Sequence, residues 1–171
     1  MRRVNWLNLS AKTLAYSYFC TKLAYVGGNM FKIVSIMEGA LAINTVYSIT
    51  EINSDEEYVK LPIEKYPGSP ITHIGYEQDD YVDTRSDYER WKDEYYHSYY
   101  PMRSASPTEV SVSAAVKKIF IPHTVTHISN LAFKNVSNIE FEIDENNKNY
   151  KLEDNKIIDI SSGEVIWPYS K

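Results

Sequence analysis

The sequence predicts a mixed α/β fold, rich in β structure, in which a short repeated unit is stacked, hairpins close the ends and a helix is inserted between repeats. Three observations predict it. The run Ile119-Phe120-Ile121-Pro122-His123-Thr124-Val125-Thr126-His127-Ile128-Ser129 has an earlier, stretched counterpart, Val59-Lys60-Leu61-Pro62, resuming at Pro70-Ile71-Thr72-His73-Ile74-Gly75. Both copies end on Thr-His-Ile and a small residue, and a third partial copy, Ile139-Glu140-Phe141-Glu142-Ile143, begins 20 residues after Ile119. A unit that recurs at such a period cannot bury its apolar side alone and builds a core by stacking on its neighbours.

The elements follow in order. Residues 1–29 read as one amphipathic helix closed by Gly27-Gly28, with Ser10 as N-cap and Leu14, Tyr18, Phe19, Leu23 and Val26 on one face. Met30 opens a different texture and is a candidate natural start, which leaves 1–29 as an extension and 30–171 as one domain. Phe31, Ile33, Leu41 and Ile43, with Glu38-Gly39 between them, suggest two strands and a tight turn. Val46–Ile52 is a further paired segment, Asn53–Glu57 a charged turn and Tyr58–Ile63 a strand. Beyond the insertion, Lys118–Ile121 is a strand turned by Pro122-His123, and Val125–Ile128 alternates again. Asn130–Phe133 suits a single helical turn with Phe133 as a core plug. Lys156–Ile160 and Glu164–Trp167, joined at Ser162-Gly163, form a closing hairpin.

The insertion, 76–108, breaks the repeat. Between Glu77 and Glu94 stand eight acids and three bases, an imbalance equal to the net charge of the whole chain, -5. Ser86-Asp87-Tyr88-Glu89 is a capping box, so a helix is expected from there to before Pro101. Tyr88, Trp91, Tyr95 and Tyr99 fall on one side of it.

At these residues the chain resembles the BspA-type leucine-rich repeat family, on whose unit Ile119, Ile121, Pro122, Val125, Ile128, Ala132 and Phe133 fall, with Ser129 in place of a glycine. Residues 143–169 resemble the family's closing pattern, and Glu38–Ile43 its leading strand unit. The likeness covers about residues 30–75 and 115–171. It implies a short, β-rich leucine-rich-repeat solenoid, here with hairpin caps and the helical insertion. It also implies protein recognition or adhesion without conventional catalytic residues. The first repeat departs from the pattern, since Tyr76 and the acidic insertion follow Gly75 where the family has Ala-Phe.

Composition excludes several function classes. Hydrophobic content of 43% and charged content of 24% suit a folded domain, and 171 residues suffice for a real core. An acidic chain, pI near 5.4, offers no basic face for nucleic acid. The single Cys20 rules out a disulfide framework. Lys12, Lys22 and Lys32 interrupt the early uncharged stretches, so no transmembrane segment is expected. No apolar run with a cleavage site marks a secretory signal, so the expectation leans to the cytoplasm, while the family likeness admits the cell surface or secretion.

Candidate chemistry is sparse. His123 and His127 are four apart, but across a proline turn and a strand, where imidazoles need not converge; His73 occupies the position of His127 in the earlier copy. Asp79, Asp80 and Asp83 lack the spacing, central glycine and terminal glutamate of a calcium loop. No enzyme activity, cofactor or metal is therefore expected. The expected function is non-catalytic protein binding by an unidentified protein partner, with Asp79, Asp80, Asp83, Tyr88, Trp91 and Tyr95 on the insertion as partner-binding residues. The runner-up is an acidic intracellular partner or inhibitor protein that masks a basic surface.

Overall fold

The computed structural model describes residues 23–26, 29–38, 44–77, 81–83, 103–104 and 108–168, all within the compact unit Leu23–Thr84 with Pro101–Lys171. They contain fifteen strands and no helix. The described fold is all-β, which corrects the expected mixed α/β class.

The chain opens with β1 (Leu23–Val26), β2 (Asn29–Glu38) and β3 (Asn44–Asn53), each antiparallel to the next. Leu23–Val26 is therefore a strand where the sequence suggested the end of a helix. Val26 pairs with Asn29, so the residues between them, Gly27-Gly28, connect two strands. Two glycines suit a two-residue hairpin loop as well as they suit a helix terminus, and the pairing of β1 with β2 decides between the two. Asn44–Asn53 contains the paired segment expected at Val46–Ile52, and the strand expected at Leu41 and Ile43 lies outside the described residues.

The stretched first repeat has a simple cause. After β4 (Tyr58–Lys60), Pro62 withholds a ladder donor, and β5 (Glu64–Tyr66) folds antiparallel on β6 (Ser69–Ile74) through a turn with Gly68 at φ 80°. Two short strands lie within the insertion, β7 (Tyr81–Asp83) and β8 (Arg103–Ser104), paired antiparallel, with β7 on β2. The helix expected between Ser86 and Pro101 lies outside the described residues, as do residues 1–22.

Repeat pairing resumes with β9 (Ser111–Val112), parallel to β3, then β10 (Lys118–Ile121), β11 (His127–Ile128) and β12 (Glu140–Ile143). Strands β4, β10 and β12 form a parallel three-stranded sheet in which the repeated residues sit side by side: Tyr58–Lys118–Glu140, Val59–Ile119–Phe141, Lys60–Phe120–Glu142. A second parallel ladder, β3–β6–β11, aligns Ser48–His73–His127 and Ile49–Ile74–Ile128 within the nine-stranded sheet. The sequence repeats are thus spatial neighbours in register.

The core lies between these ladders. Val59, Ile119, Ile49, Ile71, Ile74, Ile121 and Val125 are fully buried. Phe133 is 3% exposed and meets Phe141, which in turn meets Trp167, with ring centroids 4.8 Å apart in both pairs. Phe133 belongs to the core as expected, but its segment, residues 130–135, is a run of turns rather than a helix. Gly75, at φ 70°, closes the first repeat where a Cβ would stand 3.0 Å from the Ser129 Cβ and 3.2 Å from the Thr108 carbonyl.

Segment 144–150 closes the last repeat. Asn147 is buried; its Nδ2 donates to the carbonyls of Pro122 (3.0 Å) and Val125 (3.1 Å), and its Oδ1 accepts from the amides of Asn149 and Tyr150. The Tyr150 hydroxyl accepts the Ile128 amide at 2.8 Å, satisfying an edge donor of β11 that no further strand among the described residues pairs. The chain then forms the antiparallel sheet β13 (Tyr150–Glu153), β14 (Lys156–Asp159) and β15 (Val165–Trp167). Asp154 and Asn155, both at positive φ, make the first turn, and β14–β15 is the expected closing hairpin.

Candidate binding surface

Alternation along β10 sends Ile119 and Ile121 inward, where both are fully buried, and leaves Lys118 and Phe120 on the other side, partly exposed. The same alternation in β4 and β12 gives the sheet an outer face of two rows, Tyr58–Lys118–Glu140 and Lys60–Phe120–Glu142. Tyr58, Lys60 and Glu140 are exposed, and Phe120 and Glu142 half-buried.

The middle of this face is internally bonded. The Lys118 ammonium meets the Glu142 carboxylate at 2.7 Å, and the Tyr58 hydroxyl donates to the same carboxylate at 3.4 Å. Each group is displaced accordingly. The hydrogen bond to Glu142 holds the Lys118 amine above its usual range, and the bond from Lys118 holds the Glu142 carboxyl below its own. Desolvation, then the nearby Glu142 charge, raise the Tyr58 phenol. All three shifts favour the protonation states that bond to one another.

At two corners stand Lys60 and Glu140. Lys60 lies 5.8 Å from the Tyr58 ring centroid and 5.7 Å from that of Phe120, within cation–π range of both. The Lys60 charge also helps to hold the Glu142 carboxyl down, and the Glu140 charge helps to hold the Lys118 amine up. The face therefore carries a cation between two rings on β4, a lysine beside a phenylalanine on β10 and two acids on β12, with its charges coupled across the strands.

The second ladder presents different chemistry. His73 and His127 stack with ring centroids 5.0 Å apart, and His127 Nε2 is 3.7 Å from a Glu77 carboxylate oxygen. His123 instead bonds Asp144 through Nδ1 at 2.9 Å, so the two histidines four apart in sequence take separate partners. Among the described residues no three His, Cys, Asp or Glu groups cluster to hold a metal. Asp144 also accepts the amide and side chain of Asn146. The Asn146 amide first, then His123, bring its carboxyl down to about 2.

Of the partner-binding residues expected from sequence, Asp79, Asp80, Tyr88, Trp91 and Tyr95 lie outside the described residues, and Asp83 ends β7, where its backbone pairs with Ser35. The outer face of β4–β10–β12 was not singled out by sequence. The available signal was the outward position of each repeat strand, which holds Tyr or Lys, then Lys or Phe, then Glu.

No protein-family model matches the chain, and no curated protein matches it. Among solved structures, a leucine rich cell surface protein from Faecalibacterium prausnitzii is similar over 74% of this chain, at 17% identity and a TM-score of 0.34. The chain spans 24% of that protein's length. Among the described residues no helix is long and apolar enough to cross a membrane.

Proposed function

We propose that the chain is a non-catalytic protein-binding module of the BspA-like leucine-rich-repeat kind, and that the outer face of β4–β10–β12 is its binding surface. The observation that carries this reading is the division of labour along one strand: Ile119 and Ile121 are wholly buried, while Lys118 and Phe120 stand among exposed aromatic and charged groups. A parallel sheet ordinarily has both faces covered by the rest of its own fold. Here Tyr58 is 38% exposed beside an uncovered Lys60. Tyrosine and phenylalanine on a rigid strand offer contact area at low ordering cost, the property that makes aromatic residues interface anchors.

The test is affinity capture with the wild-type chain and with a Lys60→Ala/Phe120→Ser double variant. A specific partner retained by the first and lost by the second, with both melting within about 3 °C of each other, supports the face. A partner held equally by both places the interface elsewhere, with the acidic stretch 77–94 next to be tested.

A further inference from the structure

We infer that a buried polar hub at Ser54 holds Tyr58 in place on the outer face, an inference that rests on the reading of that face as a binding surface. The outward contacts of Tyr58 are too weak to do this. Its side chain is exposed, and the bond from its hydroxyl to Glu142, at 3.4 Å, is long for an O–H donor. A bond of that kind between exposed side chains contributes little against the cost of ordering them. The ring stands 5.4 Å from the Lys118 ammonium because the backbone of β4 puts it there. Yet β4 is three residues long, and residues 55–57 before it are all exposed, so no apolar packing fixes its start.

Polar bonds fix it instead. Ser54, just after β3, and Asn29, the first residue of β2, are both buried. The Ser54 hydroxyl donates to Asn29 Oδ1 and accepts the Glu56 amide at 2.9 Å, and Asn29 Nδ2 donates to the Glu56 carboxylate at 3.3 Å. The Ser54 amide donates to the Ser113 hydroxyl at 3.1 Å, and the Ser54 carbonyl accepts from that hydroxyl at 2.6 Å. The Glu57 carbonyl then accepts the amides of Lys117 and Lys118, each at 2.8 Å. The turn is thus tied at one end to β2 and at the other to segment 113–118, which carries Lys118 itself. Tyr58 follows directly, so the hub sets its height and register beside Lys118. Leaving a buried polar group without its partner is costly, which confines this network to one geometry. Ser54, Asn29 and Ser113 are positioning residues, since all three lie off the outer rows of β4–β10–β12.

The test is amide hydrogen exchange of the full chain, read by NMR, with the ring-current displacement of the Lys118 side-chain signals as a second readout. Tyr58→Leu marks how much of that displacement belongs to Tyr58. Ser54→Ala, at the buried centre, risks the fold itself, so the variants are made at half-buried Ser113. Ser113→Ala removes both bonds to the Ser54 backbone, and Ser113→Thr keeps the hydroxyl. Ser113→Ala should speed exchange of the Lys117 and Lys118 amides about tenfold, the scale of one lost hydrogen bond, and shrink the ring-current displacement toward its Tyr58→Leu value. The Ile128 amide, held by the Tyr150 hydroxyl in the end cap, should exchange as in wild type. Ser113→Thr should match wild type in both readouts. Unchanged exchange and displacement in Ser113→Ala, a Ser113→Thr chain that behaves like Ser113→Ala, or an Ile128 amide that speeds up equally would each overturn the inference. The binding-surface reading fails separately, when the Lys60→Ala/Phe120→Ser variant keeps every partner of the wild type.

Discussion

The two parallel ladders share their inner rungs and part company at their outer ones. Inward, both are apolar and buried: Val59–Ile119–Phe141 in one, Ile49–Ile74–Ile128 in the other. Outward, β6 and β11 repeat the same residue, and His73 stacks on His127. The outer rungs of β4–β10–β12 repeat nothing, and change from tyrosine to lysine to glutamate and from lysine to phenylalanine to glutamate. Packing fixes the inner positions because neighbouring units must interdigitate at native density. The outer positions are released from that demand, and in β4–β10–β12 they assemble a surface of rings and coupled charges.

The largest effect that could break this contrast is at the core plug. Phe133→Ala should cost about 3–5 kcal/mol, as for emptying a buried aromatic site. A loss under about 1 kcal/mol in denaturant melts would remove Phe133 from the core. Next comes a pair of changes on one strand. Ile119→Ala should cost about 2–5 kcal/mol, whereas Phe120→Ser, on the opposite side of β10, should cost about 1 kcal/mol or less. Equal losses would mean that both sides of the ladder are committed to folding.

The end cap supplies a smaller effect. Asn147→Ala leaves the Pro122 and Val125 carbonyls without their donor and frees two amides, so a loss of about 1–3 kcal/mol is expected. Unchanged stability would show that solvent replaces these bonds and that the cap is looser than the repeats it closes. Smallest is the pH effect of Asp144. Its folded carboxyl titrates at about 2, below the unfolded value of 3.8, so its contribution is present above pH 3.8 and lost as pH falls toward 2. The melting-temperature gap between wild type and Asp144→Asn should be constant near neutrality and close over about pH 4 to 2. A gap that persists at pH 2 would assign the effect to packing rather than charge.

The repeats were legible because inner rungs recur in sequence: Ile119, Ile121, Val125, Ile128 and Phe133 sit in the core where their spacing put them. The helix expected through Leu23–Val26 failed because four residues ahead of two glycines carry too little periodicity to separate a strand from a helix end. Pairing with β2, not local preference, settles it. The strands within the insertion, Tyr81–Asp83 and Arg103–Ser104, were hidden for a related reason: each is two or three residues long and defined by partners far away in sequence. The outer face was illegible because its six residues share no motif. They become neighbours only once the register of β4, β10 and β12 is known. Asp79, Asp80 and Asp83 stand out in the sequence instead, because charge is concentrated there along the chain rather than across it.

Lysine footprinting of the chain, free and bound to a captured partner, tests the central claim most directly. Lys60 and Lys118 lie on the outer face, whereas Lys151 and Lys156 lie on the closing hairpin and Lys92 falls within the acidic stretch. The account predicts that acetylation of Lys60 and Lys118 slows at least fivefold on binding while Lys151 and Lys156 react as before. Protection of Lys92 with Lys60 and Lys118 unchanged would contradict it, and would return recognition to the acidic insertion.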